Sequence, residues 1–202
     1  EPIWETRSGD GAPAEKRIVG FRCLDRESGG TVEVRASRTI VCGGPYTDLL
    51  GELLLHGAPE PEASRFREKN GRWRHWLKPS RGTHLVFSRD RLPVPAAMLL
   101  SNGEDSRVSF VIPREDFAPG VVIVGTTDGP SPADPAEVRA EDSDVDYLLR
   151  LLTRYFPTLN LGPTDVLAKY GGVRPLMDPE FGHDGDGRGG SLAMVSQEHH
   201  ID

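Results

Sequence analysis

The sequence contains 202 residues, with 37% hydrophobic and 27% charged side chains and a formal net charge of -7. This composition is typical of a folded globular protein, so it excludes a disordered chain, and the negative charge argues against a general nucleic-acid-binding protein. No apolar run approaches the roughly twenty residues of a membrane-spanning helix, and the first residues lack the basic and apolar segments of a signal peptide.

A β-hairpin, a short strand and a helix are the first predicted elements. "RIVGFRCLDRESGGTVEVRA" alternates apolar and charged residues on both sides of Ser28-Gly29-Gly30, where glycine supplies the positive φ angle of a tight turn. "RTIVC" predicts a short apolar strand that ends at Gly43-Gly44-Pro45. The helix that follows carries apolar residues at helical spacing and ends at Gly57; these residues are Leu49, Leu50, Leu53 and Leu54.

An antiparallel sheet and a covering helix are predicted next. The runs "THLVFS", "AAMLLS", "RVSFVI" and "GVVIVGTT" read as strands, and their short Pro and Gly links favour antiparallel pairing. "EDSDVDYLLRLLTRYF" predicts an amphipathic helix with acidic residues at its start, which covers one face of the sheet. "DVLAKYGGV" is a further apolar run, and "SLAMVS" predicts a last strand after a glycine-rich loop at residues 181–190. The sequence therefore predicts an α+β fold.

Several motifs have weaker functional interpretations. Residues 65–91 combine nine Lys and Arg residues with two tryptophans, which suits single-stranded nucleic acid, but a solvated basic connection is favoured and no nucleic-acid partner is expected. "GDGRGG" lacks the strand and helix that a dinucleotide fingerprint needs. Cys23 and Cys42 lack the spacing of a zinc site, so we expect reduced thiols, a cytoplasmic location and no metal.

Arg174, in "KYGGVRPL", is the strongest candidate for a functional residue. A guanidinium group does not lose its proton, so a sheltered arginine needs an anionic partner. That partner is either an internal carboxylate, such as Asp178, or a ligand, and the pattern leaves both open. His84 begins a predicted strand and "GTTD" at residues 125–128 ends another, and each has an ordinary structural explanation as well.

Seven segments, taken together and in this order, resemble FAD-dependent glycerol-3-phosphate dehydrogenase of the aerobic type. They are "GGPYTDLL", "SRGTHLVF", "FVIPRED", "VGTTDGP", "DVDYLLRLLTRYFP", "DVLAKYGGVRPL" and "SQEHHI". The resemblance implies a flavoprotein that oxidises sn-glycerol 3-phosphate to dihydroxyacetone phosphate and passes electrons from FAD to a quinone. It also implies peripheral association with the inner face of the cell membrane.

The resemblance also implies a domain arrangement. Residues 1–57 correspond to the distal part of an FAD-binding domain, with the hairpin, the glycine turn and the helix. Residues 58–202 correspond to a substrate-binding domain built on the antiparallel sheet. The sequence has no N-terminal glycine fingerprint, so we expect the middle portion of such an enzyme, and we expect the isolated chain to hold no FAD tightly and to turn over no substrate.

The resemblance assigns roles to individual residues. Arg174 corresponds to an arginine that binds the substrate phosphate, for which its fork of donors is suited. His84 corresponds to a histidine near the flavin that accepts the proton of the C2 hydroxyl or orients that hydroxyl. Thr127 and Asp128 correspond to a strand end in the same cavity. The residues corresponding to the turn against FAD are Gly43, Gly44 and Pro45.

One position departs from the family pattern and keeps two alternatives open. Gln197 stands where the family carries a second phosphate-binding arginine, and the loss of that charge-assisted contact weakens phosphate binding by about 1.5–3 kcal/mol. This difference leaves room for another small anionic substrate. The alternatives are a related FAD-dependent amino-acid or amine oxidase and a non-catalytic domain that has lost its cofactor.

Overall fold

The computed structural model describes residues 1–9, 12–55, 74–103, 107–117 and 119–178. The chain forms two compact units, Glu1–Trp76 and Leu77–Asp202, and each is described by itself below. This division comes later in the chain than the predicted boundary at 57/58, and the assignment of the units to FAD and substrate stays a prediction. The glycine-rich loop, the predicted strand "SLAMVS" and Gln197 lie outside the described residues.

The first unit contains a three-stranded antiparallel sheet. Its strands, in spatial order, are β1 (Pro2–Gly9), β2 (Ala12–Leu24) and β3 (Thr31–Arg35). The predicted hairpin between β2 and β3 is confirmed: Gly29 has a φ angle of 71°, and the Ser28 hydroxyl donates a 2.5 Å hydrogen bond to the Asp25 carboxylate. β1 was not predicted, because its sequence shows no sustained alternation of apolar residues.

The predicted helix of the first unit is also confirmed. α1 spans Thr47–Leu55 and follows a short 3-10 turn at Gly44–Tyr46. The predicted strand "RTIVC" is wrong, since residues 38–42 form no ladder with any described residue and Ile40 is 86% exposed. An apolar run becomes a strand only where another strand satisfies its backbone groups, and the described part of the chain offers none here.

The second unit is built on a six-stranded antiparallel sheet. Its central strand β4 (Ser80–Ser88) pairs on one edge with β7 (Val121–Gly125) and β8 (Gly129–Pro130) and on the other with β9 (Val166–Arg174). Beyond β7 come β6 (Val108–Arg114) and β5 (Met98–Ser101). The four predicted strands and their antiparallel pairing are confirmed, and with them the α+β class.

A single amphipathic helix covers one face of this sheet. α2 spans Asp142–Tyr155, as its apolar spacing predicts, and Leu148 and Leu152 are fully buried with Leu85 and Phe87 of β4 in one core cluster. The backbone N–H of Glu141 donates to the Asp144 carboxylate at 3.3 Å, which satisfies an amide at the helix start. Neither helix of the described chain has the length and apolar character needed to span a membrane.

Candidate active site

The alternation of side chains along β4 gives the sheet two faces of different character. Thr83, Leu85 and Phe87 are fully buried on the face that α2 covers. Gly82, His84 and Val86 point to the opposite face, since successive residues of a strand alternate. We call this opposite face of the second unit the open face, because β9 on its edge is largely exposed there. A ligand therefore has access to the backbone and side chains of this face.

His84 lies on the open face between aromatic rings. Its imidazole stacks on Tyr170 of β9, with ring centres 4.9 Å apart and planes 11° from parallel, and its ring centre lies 5.5 Å from that of Phe110 of β6. Gly125 is directly opposite on β7, where a Cβ atom would collide with the imidazole. The sheet thus fixes the ring from three strands.

The environment of His84 favours the neutral imidazole. Partial burial lowers the pKa of His84 below its ordinary value of 6.5, and the positive charge of Arg174 lowers it further. Its Nδ1 atom is buried and has no hydrogen-bond partner within the described part of the chain. A neutral imidazole carries one unprotonated ring nitrogen, so it is able to accept a proton, as a general base requires.

Arg174, at the end of β9, is held from three directions. Its Nη1 donates to Asp128 at 2.9 Å, and its Nη2 donates to the Thr126 hydroxyl at 2.6 Å and to the Thr127 carbonyl at 3.3 Å. The side chain is 25% exposed, and it occupies the place of a Cβ atom that Gly82 lacks. The sequence left an internal partner open and named Asp178 as an example; the internal partner in the structure is Asp128.

The guanidinium group keeps donors for a ligand. It carries five N–H groups, and the three hydrogen bonds to Asp128, Thr126 and Thr127 leave others for an external acceptor. The internal carboxylate balances the charge, which makes a sheltered arginine tolerable before any anion binds. The arrangement therefore combines an internal ion pair with a group that is able to bind an external anion.

Thr127 and Asp128 have different positions at the end of β7. Thr127 is 3% exposed, and its hydroxyl accepts a 3.0 Å hydrogen bond from the backbone N–H of Thr83, so only its carbonyl reaches Arg174. Asp128 is 27% exposed and also accepts a 3.1 Å hydrogen bond from Ser80. The sequence analysis did not single out Thr126, whose hydroxyl accepts a hydrogen bond from Arg174. The "GTTD" motif indicated two candidate threonines, but it did not show which hydroxyl contacts Arg174.

Arg81 lies on the other side of the sheet from His84. It is 6% exposed and forms ion pairs with Glu141 and Asp144 at the start of α2, the second at 3.3 Å. The Thr83 hydroxyl donates to the same Asp144 carboxylate at 2.7 Å. This network joins β4 to α2, so Arg81 is a structural residue although it is only three positions from His84.

The predicted cofactor turn lies in the first unit. Gly44 has a φ angle of 50°, which favours glycine, and the Gly43 carbonyl accepts a 2.9 Å hydrogen bond from the backbone N–H of Tyr46. A Cβ atom at Gly43 would lie 3.0 Å from the backbone N of Thr47. The turn therefore needs both glycines for its own geometry. The role of Gly43, Gly44 and Pro45 beside FAD stays a prediction, as does that of Gln197.

The sequence is similar to a known protein family and to several curated proteins. The sequence model of the family described as FAD dependent oxidoreductase matches residues 10–193. An alpha-glycerophosphate oxidase of Streptococcus pyogenes serotype M6 is 30% identical over 93% of this chain and 28% of its own length. An aerobic glycerol-3-phosphate dehydrogenase of Staphylococcus epidermidis is 28% identical over 81% of this chain and 26% of its own length.

A solved structure is similar in fold as well as in sequence. The crystal structure of a glycerol-3-phosphate dehydrogenase from Bacillus halodurans, complexed with FAD, superposes with a TM-score of 0.64 at 30% identity. The match covers 87% of this chain and 31% of that protein. The chain thus spans about 28% of the length of the first curated relative and a similar share of the solved structure.

Proposed function

Because the chain belongs to the FAD dependent oxidoreductase family, we propose that it carries the substrate-binding sheet of a flavoenzyme that oxidises sn-glycerol 3-phosphate to dihydroxyacetone phosphate. The observation that carries the proposal is the presence of His84 and Arg174 together on the open face. Oxidation of a phosphorylated alcohol needs a group that takes the hydroxyl proton and a cation that binds the phosphate. The names of the relatives support this substrate.

The residues around His84 fit a flat aromatic cofactor. Tyr170 and Leu99, 46% and 77% exposed, offer apolar surface on the same face as His84. The residues that we propose to contact FAD are Gly43, Gly44 and Pro45 in the first unit. When bound, FAD accepts the two electrons and the hydrogen that leave the substrate carbon.

We assign His84 the role of the proton acceptor. Its lowered pKa keeps the imidazole neutral at physiological pH, so it is ready to take the proton of the C2 hydroxyl as the carbonyl forms. The stacking on Tyr170 and the close approach of Gly125 hold the ring plane in one orientation. A fixed ring reduces the reorganisation that proton transfer requires.

We assign Arg174 the role of the phosphate-binding cation. Its remaining N–H groups form charge-assisted hydrogen bonds to the phosphate, while Asp128, Thr126 and Thr127 keep the plane of the guanidinium fixed. The Asp128 carboxylate lies beside the bound dianion and limits its affinity, which favours release of the product. Gln197, where the related enzymes are expected to carry an arginine, is proposed as a neutral second contact.

The acceptor beyond FAD is a further part of the proposal. We propose that electrons pass to a quinone and that the enzyme associates peripherally with the membrane, as the family resemblance implies. Anaerobic reoxidation of the reduced protein by a soluble quinone analogue, compared with reoxidation by oxygen, tests the acceptor. Fast reoxidation by oxygen alone would contradict the quinone.

Reduction of the bound flavin tests the substrate. The flavin-loaded full-length enzyme that contains this chain is mixed anaerobically with glycerol 3-phosphate, sarcosine or glycine, and the flavin absorbance is followed. We expect bleaching with glycerol 3-phosphate and none with the two amines. Bleaching with an amine alone would favour the amino-acid or amine oxidase, and a full-length protein that binds no flavin would favour the non-catalytic domain.

A further inference from the structure

Two consecutive glycines, Gly171 and Gly172, lie inside strand β9. Glycine weakens a strand, because it has no side chain to pack and a larger conformational freedom to lose on folding. Neither glycine has a positive φ angle, so the backbone conformation itself accepts other residues at both positions. The absence of a side chain at each position therefore needs a steric reason.

The fold supplies that reason for Gly171 alone. A Cβ atom at Gly171 would lie 3.0 Å from the carbonyl carbon of Arg139 and 3.1 Å from its oxygen, so the segment before α2 packs against the bare backbone. A Cβ atom at Gly172 meets nothing within 4 Å in the described structure, and the residue is exposed. The protein's own described contacts thus leave room for a side chain at Gly172.

Gly172 lies on the open face beside the residues of the proposed site. It shares the open face with Tyr170 and Arg174, its neighbours two positions away on β9, and it is directly opposite Gly82 of β4. The Arg174 guanidinium extends over Gly82, and His84 stacks on Tyr170. A molecule that bridges the guanidinium and the imidazole therefore lies within one strand spacing of the backbone at Gly172.

We propose that Gly172 is a specificity-determining residue that forms the floor of the substrate site, and that its side chain is absent because the substrate lies against its backbone. This inference rests on the proposed function. A short phosphorylated alcohol fits if its phosphate binds Arg174 and its hydroxyl carbon reaches His84. A methyl group at position 172 lifts that molecule away from both groups without disturbing the protein.

The test introduces Gly172→Ala into the flavin-loaded full-length enzyme that contains this chain and compares the variant with the wild-type enzyme. We expect KM for glycerol 3-phosphate to rise about tenfold or more, in the range typical of one added methyl group in a substrate pocket. We expect the melting temperature to stay the same or rise, because alanine strengthens a strand. The flavin content and the flavin absorbance spectrum should not change.

Two variants of the same strand are the matched controls. Ala168→Val enlarges an exposed side chain on the open face beyond Tyr170, and it should leave KM unchanged. Gly171→Ala should lower the melting temperature because of its contact with Arg139. Ala168→Val shows whether added bulk elsewhere on the strand changes KM, and Gly171→Ala shows how a steric clash within the protein changes the melting temperature.

The outcomes separate this inference from the proposed function. An unchanged KM in Gly172→Ala, with an active wild-type protein, would overturn the inference and leave the proposed function standing. Loss of stability or of flavin in Gly172→Ala would also overturn it, because protein or cofactor would then cover Gly172. A wild-type protein whose flavin is not reduced by glycerol 3-phosphate would overturn both.

Discussion

Replacement of Arg174 and Asp128, singly and together, separates the structural role of this ion pair from its proposed role in binding phosphate. The variants are Arg174→Met, which keeps the aliphatic stem, Asp128→Asn, which keeps the shape of the acid, and the double variant. In the single variant Arg174→Met, the Asp128 carboxylate loses its counterion. In the double variant, neither charge remains.

The expected loss of stability follows from the exposure of the pair. Removal of one partner of a fully buried ion pair costs about 3–5 kcal/mol, whereas exposed pairs contribute about 0–1 kcal/mol. Arg174 and Asp128 are 25% and 27% exposed, so we expect Arg174→Met to lose about 1–2 kcal/mol. The double variant should regain most of this, because no uncompensated charge is left.

The expected loss of activity in Arg174→Met is larger than its loss of stability, and the double variant should not recover it. If Arg174 forms two charge-assisted hydrogen bonds to the phosphate, at about 1.5–3 kcal/mol each, their loss lowers kcat/KM about 10²- to 10⁴-fold. Neither of the two substitutions restores a cation, so the double variant should be as inactive as Arg174→Met. Denaturant unfolding of this chain measures stability, and steady-state oxidation of glycerol 3-phosphate by the full-length enzyme that contains it measures kcat/KM.

Parallel recovery of both quantities would refute this reasoning. If the double variant regains activity together with stability, Arg174 serves only to neutralise Asp128, and the phosphate binds elsewhere. Asp128→Asn supplies the complementary control, since an amide still accepts the hydrogen bond from Nη1 while removing a negative charge beside the substrate. That variant should bind phosphate more tightly than the wild-type protein, with inorganic phosphate as the competitive inhibitor.

Three further predictions concern His84, Arg81 and Leu148. If neutral His84 is the base, kcat/KM should fall as the pH decreases through the pKa of His84, which burial and Arg174 place below 6.5. His84→Gln should abolish this decrease at acidic pH in a pH–rate profile. Arg81→Met should destabilise the protein by about 3–5 kcal/mol in urea unfolding and leave KM unchanged, because Arg81 faces α2; a raised KM would contradict its structural role. Leu148→Ala should cost about 2–5 kcal/mol, since Leu148 is fully buried, and calorimetry of the folded variant should show that loss without any change in KM.

Local sequence patterns determined most of the secondary structure of this protein. The hairpin around Gly29, four of the six strands of the second sheet and the helix α2 were predictable, because each depends on a pattern within a few residues: a turn residue, an alternation of two, or a period of 3.6. The local pattern of "RTIVC" did not suffice to predict its structure, because an apolar run becomes a strand only where another segment pairs with its backbone.

The partners of the site residues were decided only by the tertiary structure. Arg174 and Asp128 are 46 positions apart, and antiparallel pairing of β9 and β8 with β4 brings them together. No local pattern distinguishes Asp128 from the nearer Asp178 as the partner of Arg174, because a guanidinium binds any carboxylate that the fold places within reach. The open surface above Gly172 is also a tertiary property, since only the packing of neighbouring segments shows which of two adjacent glycines the fold itself requires.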